Sequence, residues 1–393
     1  MNAETYLSLV VLVPAHNEAL VLDASLASLA QQDYPALSYE IVVVADNCTD
    51  DTAAIARAHG ATVWERTNTQ ERGKGYALDW AITQLLARPL PADAFVVVDA
   101  DTWAAPDFLS CMSTRLLSQT DARGLCALQG RYGVLNGAEG WRAALMGAAF
   151  DLVNHVRPLG RNRLGLSVGL KGNGMAFTRE ILARVRWHGD SLTEDLDFAL
   201  DLARQENLRV AYAPEARVWA QMPTEGTQAT SQRKRWEEGR RKSVRALALP
   251  LLREGIVGNR PLLIDSALDL LLPPLAELTV LVLFWLALVG FGVEHHLLPH
   301  PSWWIGAGGA AFAGLALYVL GGLRVAGAGR AAYLALLRAP FYMAWKLALL
   351  VTGRRAQSTA PGAPGEWVRT ARAPMAAPGL PSSGSPSVEV RTP

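Results

Sequence analysis

The chain predicts an α/β domain with a mostly parallel sheet, followed by C-terminal membrane helices, and three observations carry that expectation. Short apolar, β-branched runs recur at Leu9-Val-Val-Leu-Val13, Ile41-Val-Val-Val-Ala45 and Phe95-Val-Val-Val-Asp99, the pattern of parallel strands buried on both faces. Amphipathic stretches lie between them, at Glu18–Ala30, Asp51–His59 and Gly75–Ala87. Past about residue 256 the composition turns apolar, with almost no charge in Leu275–Val293 and none in Trp303–Leu323.

The first two observations place strands and helices in alternation, which calls for a mostly parallel sheet with helices packed on it. Ligands of such sheets bind beyond the carboxyl ends of the strands. The polar segments that follow each strand, Pro14–Glu18, Asp46–Thr52 and Asp99–Asp101, therefore carry the chemistry. Residues 1–256 form this domain, which closes in a basic segment between Arg233 and Arg245. The first six residues lack the basic flank of a secretory signal, so the expectation is a domain that stays in the cytoplasm.

The third observation defines a membrane region over residues 257–353, with spans at about 270–293 and 302–323. Glu277 is the one charge in the first apolar run, and each run has the roughly 20 residues needed to cross a bilayer. Gly306, Ala310 and Gly314 offer a small-residue stripe for close packing of the two spans. A third apolar segment, 331–352, contains Arg338, Pro340 and Lys346 and either lies along the inner surface or spans. The link Val293–Ser302 has no Lys or Arg, whereas Arg324, Arg330, Arg354 and Arg355 flank the third segment; basic loops stay on the cytoplasmic side. Residues 354–393, rich in Pro, Ala, Gly and Ser, read as a low-complexity tail.

A net charge of +1 argues against a nucleic-acid partner, which requires a clear basic excess. The three cysteines, Cys48, Cys111 and Cys126, form no CxxC pair and read as reduced thiols.

Asp99 and Asp101 stand one residue apart where a strand bends into a loop. Two carboxylates so placed can face one hard cation, Mg²⁺ or Mn²⁺, that also takes phosphate oxygens; taken alone, they serve equally well as turn-forming aspartates. More telling is the order of motifs along the chain: Val13-Pro-Ala-His-Asn-Glu18, Ala45-Asp-Asn-Cys-Thr-Asp50, Asp99-Ala-Asp101, Thr193-Glu-Asp195 and Gln232-Arg-Lys-Arg-Trp236. Over roughly residues 8 to 290 this series resembles the family-2 glycosyltransferases, in particular the membrane-attached branch with cellulose, chitin and hyaluronan synthases and ceramide glucosyltransferases.

The resemblance implies a nucleotide-diphosphate-sugar (GT-A-like) fold and assigns roles by position. Pro14, His16 and Glu18 would line the nucleobase pocket, Asp46 would contact the nucleotide, and Asp99 with Asp101 would hold the diphosphate through the metal. Outside the resemblance, His16 is an ordinary loop residue and Glu18 and Asp46 are helix caps. Lys74, in Glu71-Arg-Gly-Lys-Gly75, falls where the family places a lysine near the donor; a solvated turn lysine has the same sequence. Asp195 would be the general base that takes the acceptor hydroxyl's proton, with Glu194 on the acceptor side. The alternative for both is favourable charge at a helix N-terminus, capped by Thr193 or Ser191. Arg235 would pair with the pyrophosphate, while Gln232 and Trp236 would face the acceptor sugar; the competing reading is a basic patch drawn to anionic lipid, to which Arg240, Arg241, Lys242 and Arg245 are assigned. Lys171-Gly-Asn-Gly-Met175 falls where related enzymes carry an acceptor-side loop, or is a tight turn before a strand.

The expected activity is inverting transfer from a nucleotide-diphosphate sugar, a UDP-sugar in the first instance, to a hydroxyl of a lipid-linked or growing saccharide. A hexosyl- or N-acetylhexosaminyltransferase of the inner (cell) membrane is implied, multi-pass, contacting membrane lipid. Its rivals are a processive polysaccharide synthase that uses an export partner, and a non-catalytic sugar-nucleotide sensor.

Overall fold

The computed structural model describes residues 6–89, 91–137, 139–191, 193–222 and 226–341, apart from the side chains of 226–238. The elements, in chain order, are β1 (Leu9–Ala15), α1 (Leu22–Ala30), β2 (Tyr39–Asp46), α2 (Thr52–Ala58), β3 (Thr62–Arg66), α3 (Lys74–Leu86), β4 (Ala94–Val97), β5 (Thr102–Ala104) and α4 (Phe108–Gln119). Then follow β6 (Ala127–Val134), α5 (Trp141–Asp151), α6 (Arg157–Arg163), β7 (Met175–Thr178), α7 (Arg179–Arg184), α8 (Glu194–Gln205) and β8 (Ala211–Ala220). Helices alone make up the rest: α9 (Gly226–Val257), α10 (Pro261–Leu271), α11 (Leu275–Glu294), α12 (Pro301–Val325) and α13 (Arg330–Leu336).

Eight strands form one sheet in the order β3-β2-β1-β4-β7-β6-β8-β5. The first four are mutually parallel; β7 opposes both its neighbours, and β5 opposes β8. The mixed sheet keeps the expected parallel half and adds a second half in which β6 and β8 run parallel to each other while β7 and β5 are reversed. Pleating sends successive side chains of β1 to opposite faces. Leu9, Val11 and Val13 join Leu22, Leu26 and Leu29 of α1 and Phe108 and Met112 of α4. Val10 and Leu12 join Leu78 and Ile82 of α3, Ile181 of α7 and Phe198 of α8. Removing one such fully buried leucine costs about 2–5 kcal/mol, so the two apolar layers fix the level at which the strand ends stop.

The helix expected from Glu18 begins only at Leu22. Asn17 adopts a left-handed φ of 55° and turns the chain, and the Glu18 carbonyl accepts from the N–H groups of Val21 and Leu22. Thr193 stands at the N-cap position of α8 but makes no side-chain cap bond; the hydroxyl of Ser191 accepts from the Thr193 N–H instead.

The basic segment is part of a single 32-residue helix, α9, which passes through Pro250 and measures about 48 Å at 1.5 Å per residue. Its inner face, with Ala248 and Leu251, packs with Leu200 and Ala203 of α8 and Leu263, Ala267 and Leu270 of α10. Ion pairs clamp α10 to α6: Arg157 to Asp269 at 2.7 Å, and Arg161 to Asp265 and Asp269 at 2.7 and 2.8 Å. Arg240, assigned from sequence to lipid, is spent on this joint, donating at 2.9 Å to the Leu270 carbonyl and also to that of Leu272, at the C-terminal end of α10. Helix ends leave such carbonyls without intrahelical partners.

Helices α11 and α12 are long and apolar enough to cross a membrane, and only 11% of either apolar window is buried. They form a hairpin whose two near ends return to the α/β domain: Leu275, Val319 and Leu323 pack with Ala148 and Leu152. The small-residue contact between them is at Gly308, where an added Cβ would come within 2.5 Å of Leu286. The predicted stripe is not the contact, since Gly306 and Gly314 have open space at that position and Ala310 is exposed. A helix with 3.6 residues per turn brings one of several small residues to its neighbour, and the sequence does not say which. The third apolar segment begins as α13, packed near Ala148 and Leu152 through Ala332 and Leu336. Residues 342–352 of this segment, and the low-complexity tail, lie outside the described residues.

Candidate active site

The carboxyl ends of β2, β1 and β4 stand side by side, which sets the three polar segments along one rim. Pro14 ends the apolar stretch of β1 opposite Val44. His16 Nδ1 lies 2.6 Å from the Asp46 carbonyl oxygen, and the Glu18 N–H donates to the Thr52 hydroxyl at 2.9 Å, so the loops after β1 and β2 are bonded into one surface. Asp46 caps no helix. Its Oδ1 accepts from Arg66 Nη1 at 2.7 Å, and both side chains are buried. The same guanidinium donates to the Glu71 carbonyl at 2.7 Å and fixes the approach to Lys74.

Lys74 is the hub. Its ammonium donates to Asp99 Oδ1 and to the Gly172 carbonyl, both at 2.5 Å. A Cβ placed on Gly172 would lie 3.5 Å from Lys74 Nζ and 3.5 Å from Asp195 Oδ2. Gly172 has φ +78°, a left-handed conformation that glycine adopts without penalty, and the missing side chain leaves that space between lysine and carboxylate. Residues at 74, 99, 172 and 195 thus meet at one point. Asp101, two residues on from Asp99, is buried.

The Lys171–Met175 loop is held through its own Asn173 and through Thr102 and Gln129, which no motif marks. Asn173 receives the Asp99 N–H at 3.1 Å and donates to the Thr102 hydroxyl at 2.8 Å. Gln129 donates to the Asn173 carbonyl and accepts from the Lys171 N–H, both at 2.8 Å. Gln129 and Asn173 are fully buried, and each amide finds its partners within the fold, as a buried polar group must.

Charges in this cluster shift one another. Burial works against the charge of Lys74, but Asp99, Glu194 and Asp195 outweigh it and raise its pKa. Burial raises Asp195, with Lys74 and the Leu196 N–H opposing. Glu194 is pushed up to about 7 by burial and by the adjacent Asp195, again opposed by Lys74. Lys171 is lowered by burial and by Arg157 and Arg161 against the pull of Asp269 and Asp195. Two adjacent carboxyls whose pKa values burial raises are suited to accepting a proton.

Among the described residues no group of three His, Cys, Asp or Glu side chains could enclose a metal ion. Asp99 and Asp101 supply two hard carboxylates and nothing softer, a donor set that suits Mg²⁺ or Mn²⁺ completed by phosphate oxygens. Gln232, Arg235 and Trp236 fall on α9, and their side chains lie outside the described residues.

A family model described as Glycosyltransferase like family 2 matches residues 8–239, more than half of the chain, and the protein belongs to that family. The sheet order and the carboxylates at its rim make this a GT-A-like fold. Relatives include a probable glycosyltransferase, YdaM, of Bacillus subtilis, 26% identical over 238 residues that cover 58% of this chain and 54% of the relative. A beta-monoglucosyldiacylglycerol synthase of Synechocystis sp. is 28% identical over 239 residues, covering 60% and 48% respectively. The chain spans about half the length of the curated relatives it matches. Among solved structures, the mannosyltransferase PcManGT from Pyrobaculum calidifontis in complex with GDP-Man and Mn²⁺ aligns with a TM-score of 0.47 at 19% identity, covering 90% of this chain and 89% of that one.

Proposed function

We propose that the protein transfers a sugar from a nucleoside-diphosphate sugar to a hydroxyl of a lipid or lipid-linked saccharide at the cytoplasmic face of a membrane, with inversion at the anomeric carbon. The observation that supports it most is the meeting of Lys74, Asp99, Gly172 and Asp195. It sets a cation that faces phosphate beside a carboxylate that can take a proton. On this reading Pro14, His16, Glu18 and Asp46 receive the nucleoside, and Lys74, Asp99 and Arg235 the diphosphate.

A divalent cation at Asp99 and Asp101 supplies, when bound, charge neutralisation for the departing diphosphate. Asp195 accepts the proton of the acceptor hydroxyl as its oxygen bonds to the anomeric carbon. The bond from that carbon to the diphosphate oxygen breaks, and its electron pair leaves with the nucleoside diphosphate. Lys74 holds its positive charge beside that departing group, and no reorganisation is needed at the moment of reaction. A single displacement with one base inverts the configuration.

The lipid side of the proposal rests on position. The back of α8, the helix that opens with Glu194 and Asp195, packs on α9 and α10, and these lead directly into the apolar hairpin. Arg241, Lys242 and Arg245 line an open groove of about 460 Å³ on the outer side of α9 and would face anionic lipid. Both near ends of the hairpin and Arg324 lie on the side of the α/β domain, consistent with two crossings and a cytoplasmic domain.

The test is release of nucleoside diphosphate by detergent-purified protein from a donor panel, UDP-sugars first, with a lipid extract as acceptor. Turnover should fall by about 10²–10⁴-fold in Asp195→Asn and stop with a chelator. Near-normal turnover in that variant would refute the assigned base. Mass spectrometry of the product separates one added sugar from the ladder of a processive synthase.

A further inference from the structure

The N-terminal turn of α8 is tied to the long helix α9 by one buried hydroxyl. Ser243 is 6% exposed. It donates at 3.3 Å to Asp197 Oδ1 and shares its O–H with the Gly239 carbonyl, also at 3.3 Å. The bond to the carboxylate is the stronger of the two, because its acceptor is charged. The other oxygen of Asp197 accepts from the Ser191 hydroxyl, which in turn receives the Thr193 N–H at 3.1 Å. The Thr193 hydroxyl lies 3.4 Å from Ser243 Oγ. Asp197 and Thr193 lie two residues to either side of Asp195, so the base sits in a turn closed from both flanks. No cap bond from Thr193 holds that turn; Ser191 holds it from within the segment and Ser243 fastens it to α9.

Spacing along α9 adds a second reason. Positions 232, 236, 239 and 243 follow one another at intervals of four, three and four residues, which places them on one face of a helix. The face fastened to the base-bearing turn is therefore the one that holds positions 232 and 236, while Arg241, Lys242 and Arg245 line the outer groove.

We propose that Ser243, acting through Asp197 and Thr193, is a positioning residue for the base Asp195, fixing the carboxylate at the mouth of the site relative to α9. The proposal rests on the transferase reading above. A displacement of about 1 Å at a reacting group can lower a rate on the order of 100-fold, and loss of this hydroxyl frees the turn on its α9 side.

Two measurements on the full-length, detergent-purified protein test it. In Ser243→Ala, amide hydrogen exchange over 191–197 should quicken while 198–203 is unchanged, and Ser243→Thr should restore protection; equal exchange in wild type and Ser243→Ala overturns the proposal whether or not a donor has been found. In the transfer assay, Ser243→Ala should lower kcat on the order of 10- to 100-fold, leave donor KM within about twofold, and shift the acid limb of the pH–rate profile, with Thr recovering most of the loss. A variant with wild-type kcat and pH profile refutes the positioning role. Wild-type protein that consumes no donor refutes the transferase reading instead, and the exchange result still decides the fastening.

Discussion

The two halves of the sheet are built differently. On the side of β3, β2, β1 and β4, each site residue follows its own strand within a few positions, and neighbouring strand ends bond to one another: His16 to Asp46, Glu18 to Thr52, Arg66 to Asp46. On the side of β7, β6, β8 and β5, the site is assembled from parts distant in the chain. Gln129 braces the 171–175 loop, that loop meets Asp195, and the Asp195 turn is fastened by Ser243. The first half resembles a rigid socket for one substrate; the second is a joint between a sheet, a helix and the hairpin base. One half should fail locally when mutated and the other through the geometry it transmits.

The sharpest test of that difference pairs Lys74→Met with Asp195→Asn. Each should reduce transfer by about 10²–10⁴-fold, but only Lys74→Met should also weaken binding of the nucleoside-diphosphate sugar, measured by calorimetry. If Asp195→Asn weakened donor binding as much, the two halves would not be separable.

Next in size is the buried ion pair within the socket. Arg66→Met leaves Asp46 without its guanidinium in a buried setting, and breaking such a pair from one side costs about 3–5 kcal/mol. Chemical denaturation of the α/β transition should show that loss, whereas the double variant Arg66→Met/Asp46→Leu should recover part of it. A single variant as stable as wild type would mean that the pair is not held as described.

The same contrast explains what the sequence made legible. The strands β1 and β4 are uninterrupted apolar runs, and β2 carries one from Ile41 to Ala45, so period and composition both announce them. Their trailing carboxylates follow in fixed order. In contrast, β6 reads Ala-Leu-Gln-Gly-Arg-Tyr-Gly-Val and β8 contains Pro214 and Glu215; these strands of the mixed half carry polar residues and lose the signal. Nothing local marks Arg66 as the partner of Asp46 across 20 residues, or Ser243 as that of Asp197 across 46. Gln129 goes unnoticed, and Asn173 stands out only as part of a glycine-bearing loop, because a lone amide has no motif. In the hairpin the apolar runs were plain, but the packing glycine was not, since Gly308 is one of several small residues on α12.

Gly322 probes the joint on its membrane-proximal side. Between α5 and α6 the backbone widens into a π-helical turn, Leu152–Val156. Tyr318 of α12 donates to the Leu152 carbonyl at 3.1 Å, and Arg131 reaches both Asp151, at 3.2 Å, and the Ala326 carbonyl, at 3.1 Å. A Cβ on Gly322 would come within 2.6 Å of Leu152. Gly322→Leu should therefore cost about 1–3 kcal/mol by overpacking, read as a lower melting temperature in detergent, with donor binding intact. Gly321, which has open space, is the control.

The smallest expected effect is the pH dependence of the carboxyl pair on α8. Burial and the neighbouring Asp195 raise Glu194 from 4.5 to about 7, so the folded chain binds this proton more tightly than the unfolded chain does. Its contribution to stability is complete below about pH 4.5 and is lost as pH rises through about 7. Wild-type melting temperature should thus decline across that window, and Glu194→Gln, which is neutral at every pH, should flatten the decline by a few degrees (about 1 kcal/mol at this chain size). Were the slopes of variant and wild type to coincide, Glu194 would be titrating as an ordinary solvated carboxylate. The crowding of two acids against Lys74 that distinguishes this half of the site would then have to be abandoned.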